Sequence, residues 1–186
     1  VRNQADHVSV VYQLVSHSGQ PHPNKSLFDL LCKLKSQGLI DEILKFEPHQ
    51  FSADAAHDNP SHHRFDIEKR NIGLEAARQA KCSHFMSMDA DELYTQEQFE
   101  YMKWAVERTN SNVGACRHLQ YYKTAEFVKS QPENEYITTI IRIQSNTRFV
   151  YGHPAPVPID PARKPNYDSQ FLVFTRMEVE MHHMSF

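Results

Sequence analysis

The chain predicts an α/β fold whose second half is rich in strands, and three observations carry that reading. Runs of β-branched and aromatic residues alternate with helix-spaced apolar residues through the first 110 positions. That order, strand then helix then strand, favours parallel pairing through crossover connections. Beyond Asn110 the helical spacing stops, and short strand-like runs separated by Gly, Pro, Asn and Asp take over.

Residues 8–15 hold Val8, Val10, Val11, Tyr12 and Val15, a composition suited to a buried strand, and Ser16-His17-Ser18-Gly19 closes it as a loop. Ser26 is placed to cap a helix in which Leu27, Leu30, Leu31 and Leu34 recur at helical spacing, with Gly38 at the C-terminal left-handed position. Residues 39–46 read as a second strand, which makes the first β-α-β step. Residues 47–66 are polar, rich in His, Asp, Asn and Pro, and aperiodic, so they predict a long loop. Such a loop is either a lid over a ligand or a solvated excursion.

Residues 67–80 predict a helix with Ile67, Leu74, Ala76, Ala77 and Ala80 toward the core, feeding a strand that delivers Asp89 as a second β-α-β step. Thr95 and Gln98 form a capping-box pattern ahead of a helix whose apolar stripe is Phe99, Met102 and Val106. Strands are expected at 113–122, 136–143, 148–151, 171–175 and 178–184, with a Pro-laden loop at 152–165 that no regular helix can cross. No internal repeat or low-complexity tract is present.

A length of 186 residues suits one domain with its own core, and a formal charge of -3 offers no basic surface for a nucleic-acid backbone. Cys32, Cys82 and Cys116 are odd in number and far apart in apolar surroundings, which reads as buried free thiols in a reducing, cytoplasmic setting. No stretch nears the roughly 20 apolar residues of a membrane span, and no signal-peptide layout opens the chain. A start at Val1 and an end at Phe186, inside strand-like texture, predict a piece of a longer protein.

The chemistry-bearing residues centre on Phe85-Met86-Ser87-Met88-Asp89-Ala90-Asp91-Glu92, where an apolar strand meets two carboxylates one residue apart. Hard cations such as Mn²⁺ or Mg²⁺ take oxygen ligands, and the carboxyl ends of parallel strands are where open α/β sheets bind ligands. Lys69-Arg70-Asn71 lies in the preceding helix, where its cations either grip a diphosphate or join Glu68 on a solvated face. Met181-His182-His183-Met184-Ser185 ends the chain in a strand-like run that points the two imidazoles to opposite faces, so one of them can join the carboxylates as a metal ligand. Alternation leaves open which. Neither Cys-x-x-Cys nor His-Glu-x-x-His spacing occurs, which disfavours a zinc centre.

The run Glu68-Lys69-Arg70-Asn71-Ile72-Gly73-Leu74-Glu75-Ala76-Ala77-Arg78, followed by residues 85–92 and Tyr94, resembles the Arg-Asn-x-Gly helix and Asp-x-Asp strand of GT-A glycosyltransferases, especially family-2-like enzymes. The late His-His-x-Ser resembles the metal-binding histidine of many GT-A folds. This resemblance implies a Rossmann-like three-layer α/β/α sandwich with a mainly parallel mixed sheet. It implies one domain over 1–186, with a nucleotide-binding half at 1–110 and an acceptor-side half at 111–186.

The implied reaction is transfer of a sugar, with inversion, from a nucleotide-sugar donor such as a UDP-sugar to a glycan or other hydroxyl acceptor. Mn²⁺ or Mg²⁺ is the implied cofactor. Asp91 would ligate the ion, Asp89 would meet the ribose or the ion through water, Arg70 and Lys69 would approach the diphosphate, and His183 or His182 would complete the metal shell. An inverting enzyme needs an acceptor base; Asp160, Asp168 and Glu135 are the candidates, and Tyr121, Tyr122, Arg117 and His153 the candidate acceptor contacts. The family's opening strand, ended by a Pro-x-Tyr-Asn or Lys-Asn-Glu motif, is not supplied before Val8: either Val1-Arg2-Asn3-Gln4-Ala5-Asp6 is the tail of such a motif or the strand is absent from this sequence. Two other readings stay open: a nucleotidyltransferase, whose Gly-rich phosphate loop is not visible among five glycines, and a sugar-nucleotide or carbohydrate-binding module without catalysis.

Overall fold

A computed structural model describes residues 2–16, 20–21, 24–48, 60–129, 134–167 and 169–185. Among the described residues the architecture is mixed α/β with three α-helices, and the chain divides into two compact units, Val1–Cys82 and Ser83–Phe186. Among the described residues, no helix is long and apolar enough to cross a membrane.

In the first unit β1 (Ser9–Gln13) and β2 (Glu42–Phe46) pair in parallel, Ser9 opposite Glu42 and Gln13 opposite Phe46. The intervening helix α1 (Lys25–Ser36) makes this the expected β-α-β step. Its cap is Asn24 rather than Ser26: the Asn24 side chain accepts the Leu27 N–H at 3.1 Å, and Ser26 donates its hydroxyl to Asn24 instead. Leu31 is buried while Leu30 is exposed, so the inward stripe is narrower than the leucine spacing suggests. Gly38 has φ +71° and ends the helix where a side chain would be strained.

Helix α2 runs Pro60–Gln79, beginning seven residues before the expected start at Ile67 and overwriting the last part of the expected loop. Proline suits a first helical position because its missing N–H has no partner to lose there. Buried Phe65 then packs its ring 5.9 Å from that of Phe46 on β2. One apolar contact in a polar run leaves no periodic signal. Ala80, expected toward the core, is exposed just past the helix end. Residues 49–59, most of the expected lid or excursion, lie outside the described residues.

The second unit holds one mixed sheet in the order β3 (His84–Met86), β7 (Tyr136–Arg142), β5 (Val113–Tyr122), β9 (Glu180–Ser185), β4 (Glu92–Leu93), with β6 (Thr124–Val128) and β8 (Phe171–Val173) also on β5. Four of its ladders, β3–β7, β5–β7, β5–β6 and β4–β9, are antiparallel, and β5–β8 and β5–β9 are parallel. The expected predominance of parallel pairing is therefore not what these residues build. β3 takes an antiparallel partner in β7, and the tight β5–β6 connection permits only an antiparallel hairpin. Residues 148–151 form no strand beyond one bridge between Phe149 and Pro165, and the Pro-laden loop carries a single 3-10 turn, Pro161–Arg163.

Helix α3 (Gln96–Arg108) begins with the expected capping box, Thr95 accepting from the Gln98 backbone and Gln98 from that of Thr95. Its Met102, Ala105 and Val106 join Cys116, Ile137, Ile140, Phe174, Val179 and Met181 in one buried cluster. Gly114 leaves no room for a side chain: a Cβ there would lie 2.6 Å from Thr139 Oγ1 on β7 and 3.3 Å from Val106 Cγ2 on α3. The β5–β7 register shifts at that residue. All three cysteines are free, but only Cys116 is buried; Cys32 is exposed and Cys82 half-buried, which corrects the expectation of three buried thiols.

Candidate functional site

β3 ends at Met86, three residues short of the first aspartate, so the carboxylates ride on a turn between β3 and β4 rather than on a strand end. The Glu92 backbone N–H donates to the Asp89 carbonyl at 3.2 Å, and the Asp89 N–H donates to Glu92 Oε2 at 2.9 Å. Those two bonds close the Asp89-Ala90-Asp91-Glu92 turn. β4 then lies antiparallel to β9, Glu92 opposite His183 and Leu93 opposite His182, while the Met184 N–H donates to the Asp91 carbonyl at 2.8 Å. This register brings His183 Nε2 to 3.3 Å from Asp91 Oδ2, both side chains being part-exposed.

Strand alternation separates the two histidines as expected, and the structure distinguishes them. The His182 ring stacks on Tyr121, with Nδ1 2.8 Å from the tyrosine hydroxyl. The His183 ring meets His118 edge-on at 5.9 Å between centroids and keeps Nε2 toward Asp91. Asp91 and His183 are thus the carboxylate and imidazole that share one edge of the sheet. Among the described residues, no three His, Cys, Asp or Glu side chains gather into a complete metal-ligand group.

Beneath the turn sits a residue that sequence reasoning passed over. The Arg163 side chain, only 6 % exposed, donates Nη1–H to Glu92 Oε2 at 3.0 Å, Nη2–H to Asp89 Oδ2 at 2.6 Å and a further bond from Nη2 to Glu92 Oε1. Glu92 itself is 2 % exposed, whereas the side chains of Asp89 and Asp91 are 50 % and 45 % exposed. Burial by itself disfavours the guanidinium's charge, but the hydrogen bonds and charge of Glu92, with Asp89 and Asp160 behind it, more than offset this and raise the Arg163 pKa. A bidentate fork of this kind is specific to arginine.

Asp160 stands on the same guanidinium, its Oδ2 3.3 Å from Arg163 Nε. Its Oδ1 accepts the Ala162 N–H at 2.8 Å and caps the 3-10 turn. One carboxylate oxygen thus caps the turn while the other faces the guanidinium. Asp168, the other base candidate, lies outside the described residues. Lys69 and Arg70 belong to α2 in the first unit, where Lys69 pairs with Asp66 at 2.8 Å and Arg70 is buried. Of the candidate acceptor contacts, Arg117 lies over the Tyr136 ring at 4.9 Å, and Tyr122 is exposed on the hairpin.

Two further titratable groups, Tyr94 and Cys116, meet near the turn, the hydroxyl 3.9 Å from the sulfur. Burial holds the Tyr94 hydroxyl well above its ordinary pKa, and burial likewise pushes the Cys116 thiol up to about 12. Both shifts favour the protonated form of the group. Compared with protein-family models, with curated proteins and with solved structures, the chain gives no match.

Proposed function

We propose that the chain is a divalent-cation-dependent glycosyltransferase domain of the GT-A type, using a nucleotide-sugar donor, a UDP-sugar first among them, and a hydroxyl acceptor. The observation that supports this most is the Asp91–His183 pair, a carboxylate and an imidazole 3.3 Å apart on a half-exposed edge, with Asp89 on the same turn. Mn²⁺ and Mg²⁺ fill the positions that protein ligands leave with water and phosphate oxygens, and a carboxylate–imidazole pair suits Mn²⁺ better than Mg²⁺, which prefers oxygen ligands alone.

In this reading Asp91 and His183 hold the cation, and Asp89 bonds the donor's ribose or reaches the ion through water. The cation supplies countercharge for the diphosphate that departs as the sugar acquires oxocarbenium character. Asp91 fixes where that charge sits, because its own backbone is tied to Met184 and its neighbour Glu92 is anchored below. His183 faces the same point from β9, with His118 packed against its ring.

Calorimetric titration of the protein with UDP-sugars, with and without MnCl₂, tests the proposal. Binding that requires Mn²⁺ and is lost in Asp91→Ala and His183→Ala is the expected result. Equal binding by wild type and Asp91→Ala overturns it, and release of pyrophosphate from UTP and a sugar 1-phosphate, in place of UDP from the UDP-sugar, would reassign the chemistry to nucleotidyl transfer.

A further inference from the structure

We infer that Arg163 is a positioning residue for Asp89, and that the buried Glu92–Arg163 pair exists to aim that carboxylate rather than to hold the domain together. The inference rests on the functional reading above. A buried ion pair contributes little net stability compared with an apolar pair of the same volume, since the cost of removing both charges from water consumes most of their attraction. Direction is what such a pair adds.

The geometry supplies that direction at three points. Glu92 accepts the backbone N–H of Asp89 at 2.9 Å, which fixes the main chain of the aspartate. Arg163 donates to Asp89 Oδ2 at 2.6 Å, which fixes its side chain. Both anchors are joined, because the same guanidinium forks onto Glu92. Arg163 is itself held through its backbone: its N–H donates to the Asp160 carbonyl at 2.9 Å, and Thr138 Oγ1 donates to its carbonyl at 2.6 Å from β7. A half-exposed carboxylate that would otherwise sample several rotamers is thus tied to the interior of the sheet.

The double variant Arg163→Met with Glu92→Gln tests this in the full chain. It removes one positive and one negative charge, so the net field at Asp91 is little altered, and the amide introduced by Glu92→Gln keeps an acceptor for the Asp89 N–H. The probe is UDP titrated in the presence of MnCl₂. Outer-shell partners of metal ligands are worth about 10–100-fold in affinity, and a loss of that size is expected in the double variant. Adding Asp89→Asn to it should then cost less than about threefold, although Asp89→Asn alone in the parent costs the full factor; such non-additivity is the mark of one residue acting through another.

A generally loosened structure would instead leave the Asp89→Asn effect intact. Arg163→Lys, which keeps the charge but loses the fork, carries the same cycle if the double variant does not fold. Undiminished affinity in the double variant, with Asp89→Asn still costing its full factor, overturns the positioning role alone. Absence of any Mn²⁺-dependent UDP binding by the wild type overturns both this inference and the functional reading beneath it.

Discussion

Asp91 and Glu92 are neighbours on one turn, and the chain treats them in opposite ways. Glu92 is enclosed, saturated by Arg163 and by the Asp89 backbone. Asp91 stands half in solvent beside His183. A buried charge must be fully paired, because an orphaned one costs several kcal/mol, whereas an exposed charge is solvated and remains available to a ligand. The two sides of the turn therefore divide the labour between holding a shape and offering an oxygen.

The largest effect that would sharpen this contrast is on stability. Glu92→Ala strands the Arg163 guanidinium and should destabilise the protein by about 3–5 kcal/mol, read as a shifted urea midpoint. Asp91→Ala should stay within about 0.5 kcal/mol of wild type, as surface changes do. Equal losses in the two would erase the distinction.

A second test probes how little slack the buried side has. Gly114→Ala forces a methyl group to 2.6 Å from Thr139 Oγ1 beneath α3, and a cost of about 1–3 kcal/mol is expected. Thr139→Ala in the same protein should recover part of it, since the closest obstructing atom is then gone.

The smallest effect concerns pH. Burial, aided by the charge of Arg142, lowers the His84 pKa from its ordinary 6.5. The unfolded chain then binds the proton more readily than the folded one, so stability is full above pH 6.5 and falls as pH drops below that value towards the lowered one. His84→Asn, which keeps an acceptor for Ser83, should flatten this fall in denaturation curves measured between about pH 5 and 7.5. The sites on either side of the Asp91 turn should be indifferent to this substitution.

What could be read from the residues alone follows the range of each interaction. The parallel β1–β2 step, the Thr95 capping box and the apolar stripe of α3 depend on residues a few positions apart or on one crossover helix, and they form as read. The Asp-x-Asp turn and the His pair were visible because ligand-type side chains stand close together in the chain. Arg163 was not, since its bonds to Glu92 cross 71 positions and its own surroundings read as a Pro-rich loop.

One local sign was present: Glu92 is buried and Leu93 half-exposed, the reverse of ordinary patterning, and a carboxylate at an inward position calls for a cation. β6 escaped notice for another reason. All five of its residues are exposed, so no alternation marks it. In the early part of α2, Phe65 meets Phe46 on β2, a contact between distant positions that no local pattern announces.

Strand β5 touches β6, β7, β8 and β9, and among the described residues it reaches β4 only through β9. Asp91 and His183 come from nearly opposite ends of the second unit's sequence and meet on the β4–β9 ladder, which joins the rest of the sheet through β5. Ordering them requires closure of the longest loop in that unit, a step whose entropy must be met before any favourable contact is gained. A chain emerging from the ribosome would present Arg163 to its acidic turn before β9 had cleared the exit, and only afterwards acquire the imidazole that stands beside Asp91.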